Sequence, residues 1–506
     1  MLLATVVAAS EAVGATRSRR EKVTILADTV AATSTAEVAS VVSWLSGVVP
    51  QRRLGVGWRA LSTMPDPAPA PSLGVADVRS AFNRLAGAGG RGAASARRHV
   101  LFGLLSRATE PEQRFLRGLV TGTLRQGALD GVMIPAIARA YGVPENLVRR
   151  ATMLAGFAGP VAEAAAEAGA IALEAVDLVV GRPVRPMLAA SAAGVVDAVG
   201  TLADVVVDGK IDGIRIQVHR FQGEVRVFTR TLDDITARVP EVVEAMSALP
   251  GGDLVLDGEA VVVGADGRPA PFQVTGARTA SRADIGRLRA TAPLTTYLFD
   301  VLHNGGRSLL DEPLTVRADV LAELAPSLLV PRRVASGPED ATRFFDELVA
   351  AGHEGVVVKD PNGTYAAGRR GSQWVKVKPR HTLDLVVLAV ERGSGRRRGF
   401  LSNIHLGARN PDTGGFTMLG KTFKGMTDEM LRWQSERFAE LAVEDDGSVV
   451  TLRPEQVVEV AVDGIQRSSR YPGGMTLRFA RVVRYRDDKT ADEADTVETV
   501  RAVSGG

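Results

Sequence analysis

The sequence predicts a multi-domain protein: an all-α first block, a mixed α+β middle block and a strand-rich last block. Three observations carry that prediction. The chain has 506 residues, more than one hydrophobic core organises, so about two to four domains are expected. Its first third is rich in alanine, leucine and arginine at helical spacing, with few strand signals. After the proline-punctuated segment from Gly181 to Met187, short β runs interrupted by helices continue to about Pro379, and a further strand-rich stretch follows. The expected boundaries are 1–180, 181–379 and 380–506.

Taken in order, the opening MLLATVVAAS has no positive leader and reads as a domain helix, not a secretion signal. Pro65 to Pro71 is a stiff surface loop. Glu112 to Ala140 reads as two helices broken near Gln126 and Gly127, with Phe115, Leu116 and Leu119 on one face. In the middle block the predicted strands are Val205–Val207, Ile214–Val218, Val225–Thr229, Leu254–Leu256, Ala260–Val263, Tyr297–Leu302, Val356–Val358 and Trp374–Val377. Helices are expected near Glu241–Leu249 and Ala341–Ala350. The last block holds one clear helix, Asp428–Leu441, and an acidic last stretch, Asp487 to Gly506, that ends in a frayed tail.

Bulk composition narrows the function classes. Hydrophobic content of 45% and charged content of 24% are ordinary for a globular protein. Cysteine is absent, which excludes disulfides and thiolate zinc sites and fits a reducing compartment. The net charge of +3 is mild, but arginines cluster at 17–20, 97–98, 396–398 and 478–486, as in surfaces that meet polyanions. No apolar run approaches the roughly 20 residues a bilayer span needs, so a cytoplasmic, membrane-independent protein is expected.

The stretch from Val205 to Arg230 organises the middle block. Lys210-Ile211-Asp212-Gly213 precedes Ile214, Ile216 and Val218, which alternate with Arg215, Gln217 and His219 as in a half-buried strand. Gln222-Gly223 offers a turn, and Val225, Val227 and Thr229 alternate on the return. A two-residue loop there sets Arg215 across from Arg230. Like charges facing each other are unfavourable without an intervening anion, so the hairpin is a candidate phosphate cradle with Lys210 at its mouth. Asp-Gly pairs are also ordinary turn chemistry, and Asp257-Gly258-Glu259 can be read that way, with Glu259 opening the next strand. Glu354 precedes Val356–Val358. One or two carboxylates with substrate phosphates commonly hold Mg²⁺, which makes Glu259 and Glu354 candidate ligands. In Trp374-Val-Lys376-Val-Lys378 the lysines share one strand face, roughly 7 Å apart, with Val375 and Val377 toward the core. Phe299 is a candidate purine-stacking ring.

Gly415 to Thr422 matches the P-loop pattern letter for letter, yet its context is wrong. A phosphate-cradling loop leaves a buried strand and opens directly into a helix. Here a turn precedes it, Phe416 to Leu419 look extended and Gly425 blocks immediate helix formation. Gly393 to Gly399 lacks dinucleotide-binding spacing and reads as a basic loop.

In this order, the segments resemble the nucleotidyltransferase motifs of ATP-dependent DNA ligases. The Lys210 motif resembles the adenylate-accepting one, and Arg230, Asp257-Gly-Glu259 and Tyr297-Leu-Phe-Asp300 the next three. Glu354 to Lys359, Trp374 to Lys378 and Arg478 to Lys489 resemble the last three, with Ala480 where family chains often have proline. Phe115 to Leu119 and Leu124 to Ala128 resemble the family's helical DNA-binding domain. Arg185 to Ala189 resembles the entry to its catalytic core. The likeness covers nearly the whole chain, and looks closest to three-domain ligases of actinobacterial type. It implies an all-α DNA-binding domain, an α+β nucleotidyltransferase (ATP-grasp-like) domain and a β-barrel OB-fold. It further implies nick sealing in duplex DNA with ATP and Mg²⁺, Lys210 as the acceptor of AMP, and a monomer. Nucleotide contacts are implied for Asp208, Arg215, Arg230, Glu259, Phe299, Arg370, Lys376 and Lys378, and pyrophosphate orientation for Arg486, Asp487 and Lys489. A lysine with an ordinary pKa near about 10.4 is a poor nucleophile at neutral pH, so cationic neighbours are needed to favour its neutral form. RNA ligases and capping-type nucleotidyltransferases share the lysine motif, and from other classes a P-loop ATPase or a non-catalytic DNA-binding protein are the alternatives. An NAD-dependent ligase is disfavoured, because no cysteine is present to build the zinc finger of those enzymes.

Overall fold

A computed structural model describes the chain except for residues 52–53, 125–129, 265–266, 282–283, 367–369 and 504–506, and except for the side chains of 370–372 and 396. The chain divides into two compact units. The first comprises Met1–Ala190, Asp204–Arg332 and Lys359–Val375. The second comprises Ser191–Ala203, Arg333–Val358 and Lys376–Gly506.

In the first unit, helices run from Leu3–Ala15 to Ala158–Glu174, so the opening apolar stretch is indeed a domain helix. Their apolar faces close one core in which Trp44 meets Phe82 edge-on at 5.9 Å. The two helices expected between Glu112 and Ala140 are Glu110–Thr121 and Asp130–Tyr141. The first has a capping box, Glu112 reaching back to the Thr109 amide at 2.8 Å. The motif from Leu124 to Ala128 falls almost wholly outside the described residues.

The same unit contains an antiparallel sheet in the order Glu224–Thr229, Ile214–Phe221, Leu254–Val262, Leu294–Asn304, Arg307–Ser308. One face packs Ile216, Val218, Leu256 and Leu298 against helix residues Val242, Met246, Leu321 and Leu324. The hairpin register is as expected, with Ile216 opposite Thr229 and Val218 opposite Val227. Its polar face, however, is not solvated. Gln217 and His219 are 3% and 0% exposed, because the segment after Gly181 lies over them. Gln217 accepts from the Val184 amide at 2.8 Å and donates to the Val184 carbonyl at 3.1 Å, while His219 accepts from the Gly181 amide at 3.0 Å. The proline segment is therefore a covering strap. Arg185 fastens it to the helices through the Gly156 carbonyl at 2.8 Å and an ion pair with Asp130.

Asp257-Gly258 is not a turn. Leu254–Val262 is a single strand running through it, because the Asp257 carboxylate has buried partners and Gly258 lets the Tyr297 carbonyl approach where a Cβ would stand 2.5 Å away.

In the second unit, the strand His381–Arg392 pairs with Leu401–Asn410 along one edge and, successively, with Val457–Val462 and Val449–Leu452 along the other, which curls the sheet. Helix Asp428–Leu441 has the expected bounds and buries Leu431, Phe438 and Leu441. The acidic stretch is docked as far as Val503, and the tail expected to fray, 504–506, lies outside the described residues. Helix Val497–Ala502 buries Val497 and Val500, and the Asp495 amide donates to the Asp384 carbonyl at 2.8 Å. Gly415–Thr422 is a strand, with Lys421 ion-paired to Glu391, and no helix begins until Asp428. That excludes a P-loop. Among the described residues, no helix is long and apolar enough to cross a membrane.

Candidate nucleotide site

Lys210 ends the strand Asp204–Lys210 at the edge of a cleft of about 770 Å³. Arg215, Arg230, Glu259, Phe272 and Arg238 also line it. Ile211 fixes the local path. It is buried with Val261 and Val330, against Tyr297 and Phe299. Gly213 is required by a close approach, since any Cβ there would collide with the Ala260 carbonyl. The lysine is thus held between an apolar anchor and a backbone contact that only glycine permits.

Arg230 sits just past its strand in a turn closed by the Thr229 amide on the Asp233 carbonyl at 2.9 Å. Leu232 in that turn has φ of 66°, strained for a non-glycine residue. Its buried side chain compensates by packing where the Cα of Gly156 leaves room. Arg215, by contrast, does not turn toward Arg230. Its Nε and Nη2 donate to Asp257 at 2.9 and 2.5 Å, and its Nη1 donates to the Met187 carbonyl at 2.8 Å. The like-charge argument for an intervening anion is therefore corrected: a fully buried carboxylate already neutralises one of the two arginines. Burial disfavours the Arg215 charge, but attraction to Asp257 outweighs it and raises the pKa above the ordinary arginine value. Glu259 stands opposite Arg215 in the ladder and Tyr297 on its other side.

Asp208 is placed differently from a ligand-facing side chain. It is buried and ion-paired with Arg332 at 2.5 Å and Lys359 at 2.6 Å. Both cations also donate to the Phe299 carbonyl, at 2.8 and 3.4 Å. Burial pushes the Asp208 carboxyl up, and Lys359 and Arg332 pull it down further, leaving its pKa below the usual aspartate value. The Asp208 carboxylate therefore holds the Phe299 backbone. The Phe299 ring meets Trp374 edge-on at 5.9 Å, with the Lys359 ammonium 5.0 Å and the Arg215 guanidinium 5.1 Å from its centroid.

In the second unit, Lys378 pairs with Glu354 at 2.6 Å and Asp463 at 3.0 Å, and Arg478 lies 3.8 Å from the same glutamate. Burial would lower the Lys378 pKa, but the attraction of Glu354 raises it. Trp374, on the same strand face as Lys376 and Lys378, is buried, and Val375 is only half-buried, so the expected division into core and solvent faces does not hold. Arg486 and Lys489 both pair with Asp384, at 3.0 and 2.7 Å. The Arg370 side chain lies outside the described residues.

Among the described residues no three acidic or histidine side chains gather as a metal cluster. Glu259 on the cleft wall suits a cation held mainly by substrate phosphates. Glu354 pairs with Lys378 through Oε1 at 2.6 Å, so a cation held there would share the carboxylate with that ammonium. Arg332, Lys359, Asp257 and Tyr365 are site residues that motif reading passed over. Only Asp257 and Lys359 lay inside recognisable motifs, and nothing local marks Arg332 or Tyr365.

Three family profiles match, described as DNA ligase N terminus over residues 58–138, ATP dependent DNA ligase domain over 186–378 and ATP dependent DNA ligase C terminal region over 397–489. A probable DNA ligase of Beutenbergia cavernae is 58% identical, with 100% of each chain covered. The chain belongs to the ATP-dependent DNA ligase family. The DNA ligase B of Mycobacterium tuberculosis is 54% identical over 99% of this chain and 100% of its own. Among solved structures, one titled Pmar-Lig_PreS3 covers 95% of this chain and 99% of its own at a TM-score of 0.60 and 19% identity, a likeness of fold. The architecture is that of the family's helical, nucleotidyltransferase and OB-like parts, and the protein is a ligase enzyme dependent on ATP.

Proposed function

We propose that this ligase seals nicks in duplex DNA, in replication, repair or recombination, through AMP carried covalently on Lys210. The observation that carries the reading is Lys210 at the mouth of a cleft it shares with Arg215, Arg230 and Glu259. The Lys210 amine attacks the α-phosphorus of ATP, an N–P bond forms, and pyrophosphate leaves. The phosphorus then passes to an oxygen of the nick's 5′-phosphate, and the 3′-hydroxyl displaces AMP. Arg230 offsets charge on the transferring phosphorus, Arg215, already ion-paired with Asp257, contributes its remaining N–H donors, and Lys376 and Lys378 are nucleotide contacts that the family resemblance implies. Phe299 supplies a ring for adenine, Asp208 steadies its backbone, and Arg370 joins the nucleotide contacts.

Glu259 would hold a divalent cation, Mg²⁺ by choice, which supplies charge neutralisation at non-bridging oxygens when bound. The domain division 1–180, 181–379 and 380–506, a monomeric state and a cytoplasmic location complete the reading. Incubation with α-labelled ATP tests it. A covalent AMP adduct should form and should vanish in Lys210→Ala; γ-phosphate hydrolysis without an adduct would refute the reading.

A further inference from the structure

Tyr365 is buried to 2% exposure, outside every segment the motif comparison uses. Its hydroxyl makes two hydrogen bonds, and both go to groups that hold Arg215. It donates to Asp257 at 2.7 Å, and it accepts from the Met187 amide at 3.0 Å. Asp257 takes Arg215 by Nε and Nη2, and the carbonyl of Met187 takes its Nη1 at 2.8 Å. The four residues therefore form a closed ring, from Arg215 to Asp257, to Tyr365, to Met187 and back.

Such a ring does more than neutralise a charge. A carboxylate alone holds a guanidinium in the plane of the fork and leaves it free to tilt about that axis. The Met187 carbonyl at the third nitrogen removes the tilt. The Tyr365 hydroxyl sets the spacing of the two acceptors, because it is bonded to the carboxylate on one side and to the same residue's amide on the other. Three nitrogens of a five-donor group are occupied this way, and the remaining N–H donors acquire a defined direction. The Phe299 and Trp374 rings flank the guanidinium, with centroids 5.1 and 5.7 Å from its carbon.

We propose that Tyr365 is a positioning residue for Arg215, aiming the guanidinium at the reacting nucleotide through its bonds to Asp257 and Met187. The inference rests on the reading of Lys210 as adenylate acceptor. The alternative is a purely structural hydroxyl, satisfied in the core and indifferent to what Arg215 does.

Tyr365→Phe separates the two, since it keeps the ring's edge-on packing against Trp374 at 6.0 Å and removes only the hydroxyl. The readout is the single-turnover rate of adduct formation from α-labelled ATP, in four proteins: wild type, Tyr365→Phe, Arg215→Lys and the double variant. Loss of aim at a reacting centre should slow Tyr365→Phe about tenfold. In the Arg215→Lys background the same change should slow the reaction less than about twofold, because residues acting through one group are not additive. A structural hydroxyl would slow both backgrounds by the same factor, and that result overturns the inference. Asp257→Asn keeps the shape of the ring while removing its charge, and it carries the same non-additive expectation if Tyr365→Phe melts too low to assay. An adduct formed equally fast by wild type and Tyr365→Phe overturns the positioning role alone. No adduct in the wild type overturns the adenylation reading and this inference with it.

Discussion

Asp208→Asn tests whether the buried charge cluster behind Phe299 is what holds that part of the site. The substitution keeps the side chain's shape and deletes one negative charge between two cations. Asp208, Lys359 and Arg332 have side-chain exposures of 3%, 2% and 15%, so solvent cannot replace what is lost. Breaking a buried ion pair from one side typically costs about 3–5 kcal/mol, because the partner charge stays behind uncompensated. At about 2–4 °C per kcal/mol for a region of this size, the unfolding transition of the first unit should fall by on the order of 10 °C. The pH dependence follows from the same pair. The folded pKa of Asp208 is depressed, so its contribution is complete above the unfolded value near about 3.9 and disappears as pH falls through the folded value. The variant should lack that acid-side loss. Calorimetry of wild type and variant between neutral and acidic pH measures both effects. A drop smaller than about 1 kcal/mol at neutral pH, the size of an exposed pair, would show that the cluster is wetter or looser than described and that Asp208 does not anchor Phe299.

Two other outcomes follow from the second unit. Glu391 accepts from Lys421, Asn403 and His405, and although burial pushes its carboxyl up, these bonds pull it down to about 2. Its contribution is therefore present above the unfolded value near about 4.3 and lost as pH falls toward that folded value. Glu391→Gln should lower stability at neutral pH by about 1–2 kcal/mol after allowance for solvent screening, with a difference that closes by pH 2 in urea titrations; a pH-independent difference would contradict it. Val500→Ala removes two buried carbons at a fully buried position and should destabilise this unit by about 1–2 kcal/mol, which chemical denaturation would read. An unchanged midpoint would mean the C-terminal helix is not part of the core.

The helical block, the β-hairpin and its register were legible because each depends on short-range pattern: periodicity, a two-residue turn and a rise that alternates side chains. Lys210 and Arg230 were legible as cleft residues for the same reason, lying at strand ends where motif spacing places them, whereas Glu259 lines the cleft from inside the strand Leu254–Val262 and does not open a strand. The Asp257-Gly258 turn was misread because Asp-Gly favours turns locally, while two buried hydrogen-bonding partners distant in sequence keep it in a strand. The docking of the acidic stretch was not legible: its composition is that of a loose end, but Val497 and Val500 find a core that composition does not announce.

The sequence by itself determined the family, the order of the parts and the lysine at the cleft mouth, since these rest on residues close enough along the chain to form a readable pattern. Only the tertiary structure decided which charges cancel. Arg215 was spent on Asp257, Asp208 on Arg332 and Lys359, and Glu354 on Lys378. Two of these three pairings join residues far apart in sequence. The physical reason is that a buried charge must find a partner wherever the fold brings one near. That pairing is settled by proximity in space, about which a linear motif carries no information.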